Sequence, residues 1–221
     1  MWPFFKDDDF NFLTEIALGS VFRQAADVGE VLTTVDRLHD GKARSWVDEW
    51  TATADRLAQE AAASAAAGHA YSAAGQYLRA SFYYSLATYS ADGTGDPALF
   101  ARLWEKHRAA WDQFVDLGDF GGAAAERIKI PYEGTTLPGY FFRSGAVVEP
   151  RRTLIFNNGS DGSVVGAWTD GIACVVAGME RDDVRWPGAE RRAGPAEPGV
   201  PPGLGEGHHP GRGLPVGPRG R

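Results

Sequence analysis

One cysteine, Cys174, in 221 residues leaves no partner for a disulfide and no way to build a multi-cysteine metal site. Positive charge is also short. Lys and Arg number 22 against 29 Asp and Glu, a net charge of −7, which lacks the basic footprint a nucleic-acid binder needs to neutralise phosphates. No long apolar run occurs: the stretch of lowest polarity, Ala61 to Ala67, is alanine and serine and too short to span a bilayer. The aromatic start Met1-Trp2-Pro3-Phe4-Phe5 meets Lys6-Asp7-Asp8-Asp9 at once, without the apolar core of an export signal. These absences exclude a disulfide scaffold, a nucleic-acid partner and a membrane partner, and the expectation is a soluble cytoplasmic protein.

Proline is scarce only in part of the chain. Residues 178–221 hold 11 Gly and 8 Pro among 44 positions, whereas the preceding 177 hold only 5 of the 13 Pro. A stretch so rich in breakers and without hydrophobic period reads as a disordered tail.

Up to about residue 120 the pattern is helical. Ala25 to Leu38 spaces Val28, Val31, Leu32, Val35 and Leu38 by three and four, and Gly41 follows as a stop. Ser45 has the character of an N-cap for a helix carrying Trp46, Val47, Trp50 and Leu57. Tyr77, Phe82, Tyr83, Tyr84 and Leu86 give the next helix a broad apolar girth, and Asp96-Pro97 opens a last one through Trp104, His107, Trp111 and Phe114. The grammar then changes. Glu126 to Ile130 alternates as a strand closed by Pro131, Gly134-Thr135-Thr136 turns, and Leu137 to Phe142 returns, a β-hairpin. Thr153 to Phe156 reads as a buried parallel strand, and Ser163 to Ala177 as a helix. The predicted organisation is α/β. A helical domain over 1–120 is followed by the start of a sheet over 121–177 and the tail over 178–221.

Chemistry concentrates in the loop between that strand and helix. Asn158, Gly159, Ser160, Asp161 and Gly162 bring backbone N–H groups to a helix N-terminus, where they can hold an anion or a developing oxyanion, with Ser160 and Asp161 the natural donors. An ordinary connection with an Asp or Ser helix cap would have the same composition.

The run Glu126-Arg-Ile-Lys-Ile-Pro-Tyr-Glu-Gly-Thr-Thr-Leu-Pro-Gly-Tyr-Phe-Phe-Arg143, followed by Arg152-Thr-Leu-Ile-Phe-Asn-Asn-Gly-Ser-Asp-Gly-Ser163, resembles the opening of an α/β-hydrolase. The resemblance is to the branch with an N-terminal helical cap, which includes the 2,6-dihydroxypseudooxynicotine hydrolase-like and FrsA-like esterase families. Ala25 to Val31 and Ser45 to Trp50 match its cap segment, and roughly residues 10 to 177 are covered. The resemblance implies a serine hydrolase acting on an ester, or on a C–C bond next to a carbonyl, in a small-molecule acyl or ketone substrate. It also implies no cofactor, a homodimer, and one oxyanion-hole N–H from the loop. The chain departs from the family in having no G-x-S-x-G nucleophile and no His or acid in plausible context, so no catalytic residue is assigned and the chain reads as an inactive fragment. The competing reading is a non-catalytic helical interaction module with a disordered tail.

Other candidates read as structure. His39, His69 and His107 fit helix ends and faces, His208 and His209 fall in the tail, and Asp7-Asp8-Asp9 is a solvated charge run rather than a metal site. Trp46, Trp50, Tyr83 and Trp104 are expected to line a substrate pocket beneath the cap or to form its core. The tail also fits coding DNA read out of frame. Back-translated from the second base of the Met179 codon, the segment to Glu190 permits Trp-Asn-Ala-Met-Thr-Phe-Asp-Gly-Pro-Gly-Gln, the sort of apolar strand and turn that the resemblance implies for a fourth strand.

Overall fold

The computed structural model describes residues 3–118, 125–143, 153–159, 162–176 and 180–184. Five α-helices come first: α1 (Asp8–Gly19), α2 (Val28–Arg37), α3 (Ala43–Ala66), α4 (Ala70–Thr88) and α5 (Leu99–Leu117). The Asp7-Asp8-Asp9 run initiates α1. The Asp7 carboxylate accepts from the Phe10 N–H at 2.9 Å, and Asp8 and Asp9 occupy the first turn, where negative charge suits the helix dipole. Asp27 caps α2 in the same way, accepting from the Glu30 N–H at 3.1 Å.

Two expected starts differ. Helix α3 begins at Ala43, before Ser45, and the Ser45 hydroxyl instead accepts from the His39 N–H at 2.9 Å. This ties α3 to the turn in which Gly41 takes φ +66°. Helix α5 begins at Leu99, because Asp96 accepts from Ala98 N–H at 3.0 Å and forms a turn of its own, leaving Pro97 outside the helix.

Helices α3 and α4 form an antiparallel pair across Gly68 (φ +80°), and α5 packs on α4. Leu78, Phe82, Tyr83, Tyr84 and Leu86 of α4 are all buried, so this helix is enclosed from several sides. The Trp46 indole donates to the Leu86 carbonyl at 2.8 Å, and the Thr34 and Thr53 hydroxyls meet at 2.7 Å, so these polar atoms are satisfied inside the bundle.

The hairpin is β1 (Ala125–Tyr132) and β2 (Thr135–Phe142), paired antiparallel from Ala125↔Phe142 to Tyr132↔Thr135. Its two-residue loop, Glu133-Gly134, has positive φ at both positions (39° and 80°), the backbone that matches strand twist. Pro131 lies within β1 rather than closing it. Among the described residues β1 pairs only with β2, so the missing proline N–H can face away from the ladder.

Strand β3 (Thr153–Phe156), helix α6 (Val164–Val176) and strand β4 (Glu180–Val184) follow, and the sheet order is β1-β2-β4-β3. Strand β4 runs antiparallel to β2 and parallel to β3. Two expectations change here. Ile155 is 68% exposed, so β3 is not a strand buried on both faces; among the described residues it pairs on one side alone. Within the stretch 178–221, Glu180–Val184 form a paired strand rather than disordered tail, because β2 and β3 offer hydrogen-bonding partners on either side. The rest of that stretch, with His208 and His209, lies outside the described residues. One hydrophobic core runs from Phe5 through the helices to Tyr140, Phe142, Val165 and Trp168.

Candidate active site

Strand β3 ends at Phe156 and delivers the loop to the start of α6. The Gly162 N–H donates to the Gly159 carbonyl at 3.2 Å, closing a turn, and the Asn158 side-chain amide donates to the Gly162 carbonyl across it. A Cβ on Gly162 would sit 2.7 Å from the Asn158 Cβ, so glycine is required for this closure. Ser163 then caps α6: its carbonyl accepts from Ala167 N–H at 3.2 Å and its hydroxyl from Gly166 N–H at 3.4 Å. Sequence reasoning looked for the cap at Ser160 or Asp161, and those two residues lie outside the described ones. Asn158, Gly159 and Gly162 therefore form a tied turn before a helix N-terminus, at the carboxyl end of a strand with a parallel neighbour. That edge of an α/β sheet is where ligands bind.

The expected pocket aromatics do not converge on this loop. Trp46, Trp50 and Tyr83 have no exposed surface and stack on one another inside the cap, with ring centroids 5.6 Å and 5.3 Å apart, so here they are core rather than pocket wall. Burial pushes the Tyr83 hydroxyl far above the usual tyrosine range; it accepts from Asp27 N–H and donates to Glu30 at 2.9 Å. Trp104 is half-buried, its ring 4.9 Å from that of His107.

The Ser81 hydroxyl and His107 Nδ1 are 2.8 Å apart, the spacing of a nucleophile and its base. Both residues are completely buried between α4 and α5. His107 Nδ1 is also 2.9 Å from the Ser81 carbonyl, and the Ser81 hydroxyl is 3.1 Å from the His107 carbonyl. This pair is a helix-to-helix staple, sealed from water and from any substrate. His39 and His69 are exposed helix-end residues. Among the described residues no three His, Cys, Asp or Glu side chains are grouped to hold a metal ion.

Sequence reasoning missed the junction that fixes the sheet to the cap. The Tyr140 hydroxyl on β2 donates to Asp112 on α5 at 2.7 Å and accepts from Arg108 at 2.5 Å. Arg127 on β1 reaches Asp116 at 2.8 Å and Asp112 at 3.3 Å, and the hydrogen bond to Asp116 raises its already high pKa. Beneath these polar groups Trp168 of α6 packs on Phe142, Phe114 and Trp111. No local pattern announces these pairings, because Tyr140 and Asp112 stand 28 residues apart.

A helical cap sharing its core with an antiparallel hairpin, a parallel β3–β4 pair and a strand–glycine turn–helix loop defines a capped α/β fold. No family model matches the chain. Hydrolase acrC of Aspergillus aculeatus is 36% identical over 156 residues, covering 66% of this chain and 35% of that protein. Alpha/beta hydrolase xenA of Xenoacremonium sinensis is 32% identical over 143 residues, covering 64% and 32%. The solved structure of 2,6-dihydroxy-pseudo-oxynicotine hydrolase is similar in fold, with TM-score 0.62 at 16% identity over 77% of this chain and 45% of that one. Together these likenesses support an α/β-hydrolase-family protein. The chain spans about a third of the length of the curated relatives it matches.

Proposed function

We propose that residues up to Val176 are the cap and oxyanion side of a serine hydrolase whose substrate is a small acyl ester or a ketone cleaved next to its carbonyl. The observation that carries this reading is the glycine-closed turn Asn158–Gly162 between the carboxyl end of β3 and the N-terminus of α6. Backbone N–H groups there would stabilise the tetrahedral oxyanion, an effect for which one donor contributes about 10²–10³ in rate. Trp104, the one of the four expected aromatics that keeps accessible surface, is the residue offered to a substrate. The sequence holds no G-x-S-x-G, and its hydrogen-bonded Ser81–His107 pair is sealed, so the 221-residue chain itself is expected to be inactive. A cytoplasmic location and a homodimer complete the reading; no helix among the described residues is long and apolar enough to cross a membrane.

The test is hydrolysis of an activated acyl ester by this chain, and by a chain extended with the catalytic half of a relative such as acrC. Turnover by the extended chain alone supports the reading; turnover by the 221-residue chain overturns the assignment of inactivity. The second reading, a non-catalytic helical interaction module, is favoured by the cap's own closed core of Trp46, Trp50, Leu57 and Tyr83. An inert extended chain that folds normally would select it.

A further inference from the structure

We infer that the residues from about Met179 onward arise from coding DNA read one base out of frame, and that the interior strand of the undisturbed protein is Asn-Ala-Met-Thr-Phe in place of Glu180–Val184. The position of β4 carries the inference. It lies between β2 and β3, pairing Gly139–Phe142 on one side and Thr153–Phe156 on the other. In the β2–β4 register Arg181 pairs with the buried Phe142 and Asp183 with the buried Tyr140, positions that suit apolar, β-branched or aromatic residues, and Asp, Glu and Lys are depleted in strands. Here the sequence is Glu-Arg-Asp-Asp-Val, four charges in five residues. The backbone pairing asks for one kind of residue and the chain supplies another.

The genetic code removes the conflict. Met and Trp have single codons, so a frame starting at the second base of codon 179 is bound to read Trp there and Gly at codon 186. Synonymous codons for the intervening residues permit Asn-Ala-Met-Thr-Phe over the five positions of β4, then Asp-Gly-Pro-Gly. In that permitted string the uncharged segment covers the paired positions, the last of which is Val184↔Gly139, and turn-forming residues occupy the positions after it. The same slip accounts for the 10 Gly and 8 Pro from Met179 onward, because GC-rich coding DNA out of frame is dense in Gly, Pro and Arg codons. Strand β4 ends beside β3, with Asp183 opposite Phe156, so the restored turn would leave the sheet next to the Asn158–Gly162 loop.

Two measurements test this. The first is the nucleotide sequence from codon 170 past codon 221. The expected result is a second frame that reads Trp-Asn-Ala-Met-Thr-Phe-Asp-Gly-Pro-Gly and stays open beyond codon 221. A stop, or charged residues over β4 in that frame, overturns the inference. The second compares the full chain with a variant carrying Glu180→Asn, Arg181→Ala, Asp182→Met, Asp183→Thr and Val184→Phe. Amide exchange in β2 and β3 is expected to slow about tenfold or more in the variant. Equal or faster exchange overturns it. Either failure leaves the hydrolase reading of residues up to Val176 untouched, whereas an inert chain with its frame restored would count against that reading alone.

Discussion

Replacing Trp168 by alanine should detach α6 and the sheet from the cap while the cap stays folded. Trp168 is 4% exposed, and its ring centroid lies 4.7 Å from Phe142, 5.4 Å from Phe114 and 6.2 Å from Trp111. An aromatic side chain buries roughly 150–250 Å², which at about 25 cal/mol per Å² corresponds to roughly 4–6 kcal/mol. Truncations of buried Trp to Ala cost about 3–5 kcal/mol. The two figures meet near 4 kcal/mol, a large part of the roughly 5–15 kcal/mol that holds an average domain folded. The loss should be local, because the cap keeps the Trp46–Trp50–Tyr83 stack and the α3–α4 pairing. Native-state hydrogen exchange read by peptide mass is the assay. Amides of α6 and β2 should exchange about 100-fold faster or more, and those of α3 and α4 should change less than about threefold. Equal acceleration in all four elements, or less than about tenfold in α6, would refute the view that this indole is a principal tie between sheet and cap.

Tyr140→Phe removes the hydroxyl that bonds Asp112 and Arg108 and should cost about 1.5–3 kcal/mol by urea denaturation; a change under about 0.5 kcal/mol would show the junction to be inert. Asp7→Ala removes the α1 cap and should cost about 1 kcal/mol, with Asp7→Asn or Asp7→Ser restoring most of it. Burial raises the folded-state pKa of the Tyr83 and Tyr84 hydroxyls above the unfolded value of about 10. Their contribution to stability is therefore complete below about pH 10 and lost as pH rises beyond it. Phenolate absorbance should accordingly show at least two of the 7 tyrosines ionising only together with loss of helical signal. Seven reversible ionisations with helicity retained would contradict this. Gly162→Ala places a methyl 2.7 Å from the Asn158 Cβ and should open the turn, seen as faster exchange at α6's first amides while α5 is unchanged.

Much of the fold is legible because its signals are local. Spacings of three and four residues mark α2 and α5, and Glu133-Gly134 between alternating runs marks the hairpin. Asn158 to Gly162 marks the loop because a tight turn after an apolar strand needs small and turn-forming residues. The helix starts were harder. Ser45 has the chemistry of a cap, but a hydroxyl can serve a neighbouring turn equally well, and here it bonds His39. Ile155 shows another limit: an apolar run states what a strand would bury, not whether an element covers it. The junction of Arg108, Asp112, Arg127 and Tyr140 left no local trace, since each residue is unremarkable within its own element. Strand β4 is illegible in the residues as they stand, because Glu-Arg-Asp-Asp argues against a strand; only the shifted frame and the pairing with β2 and β3 reveal it.

The sheet order has a consequence for biosynthesis. Strand β4 comes last among the described strands in sequence yet sits between two made earlier, so β2 and β3 share no ladder until it arrives. A chain leaving the ribosome can close its cap early, from helices that contact near neighbours. It then carries two open strand edges that a single short segment must bridge. That segment is a keystone: faults in the cap would be felt at once, whereas a fault in β4 surfaces only after the cap is complete. A cell making such a chain would be left with a finished cap joined to an unclosed sheet, a form that chaperones and proteases recognise by its edges.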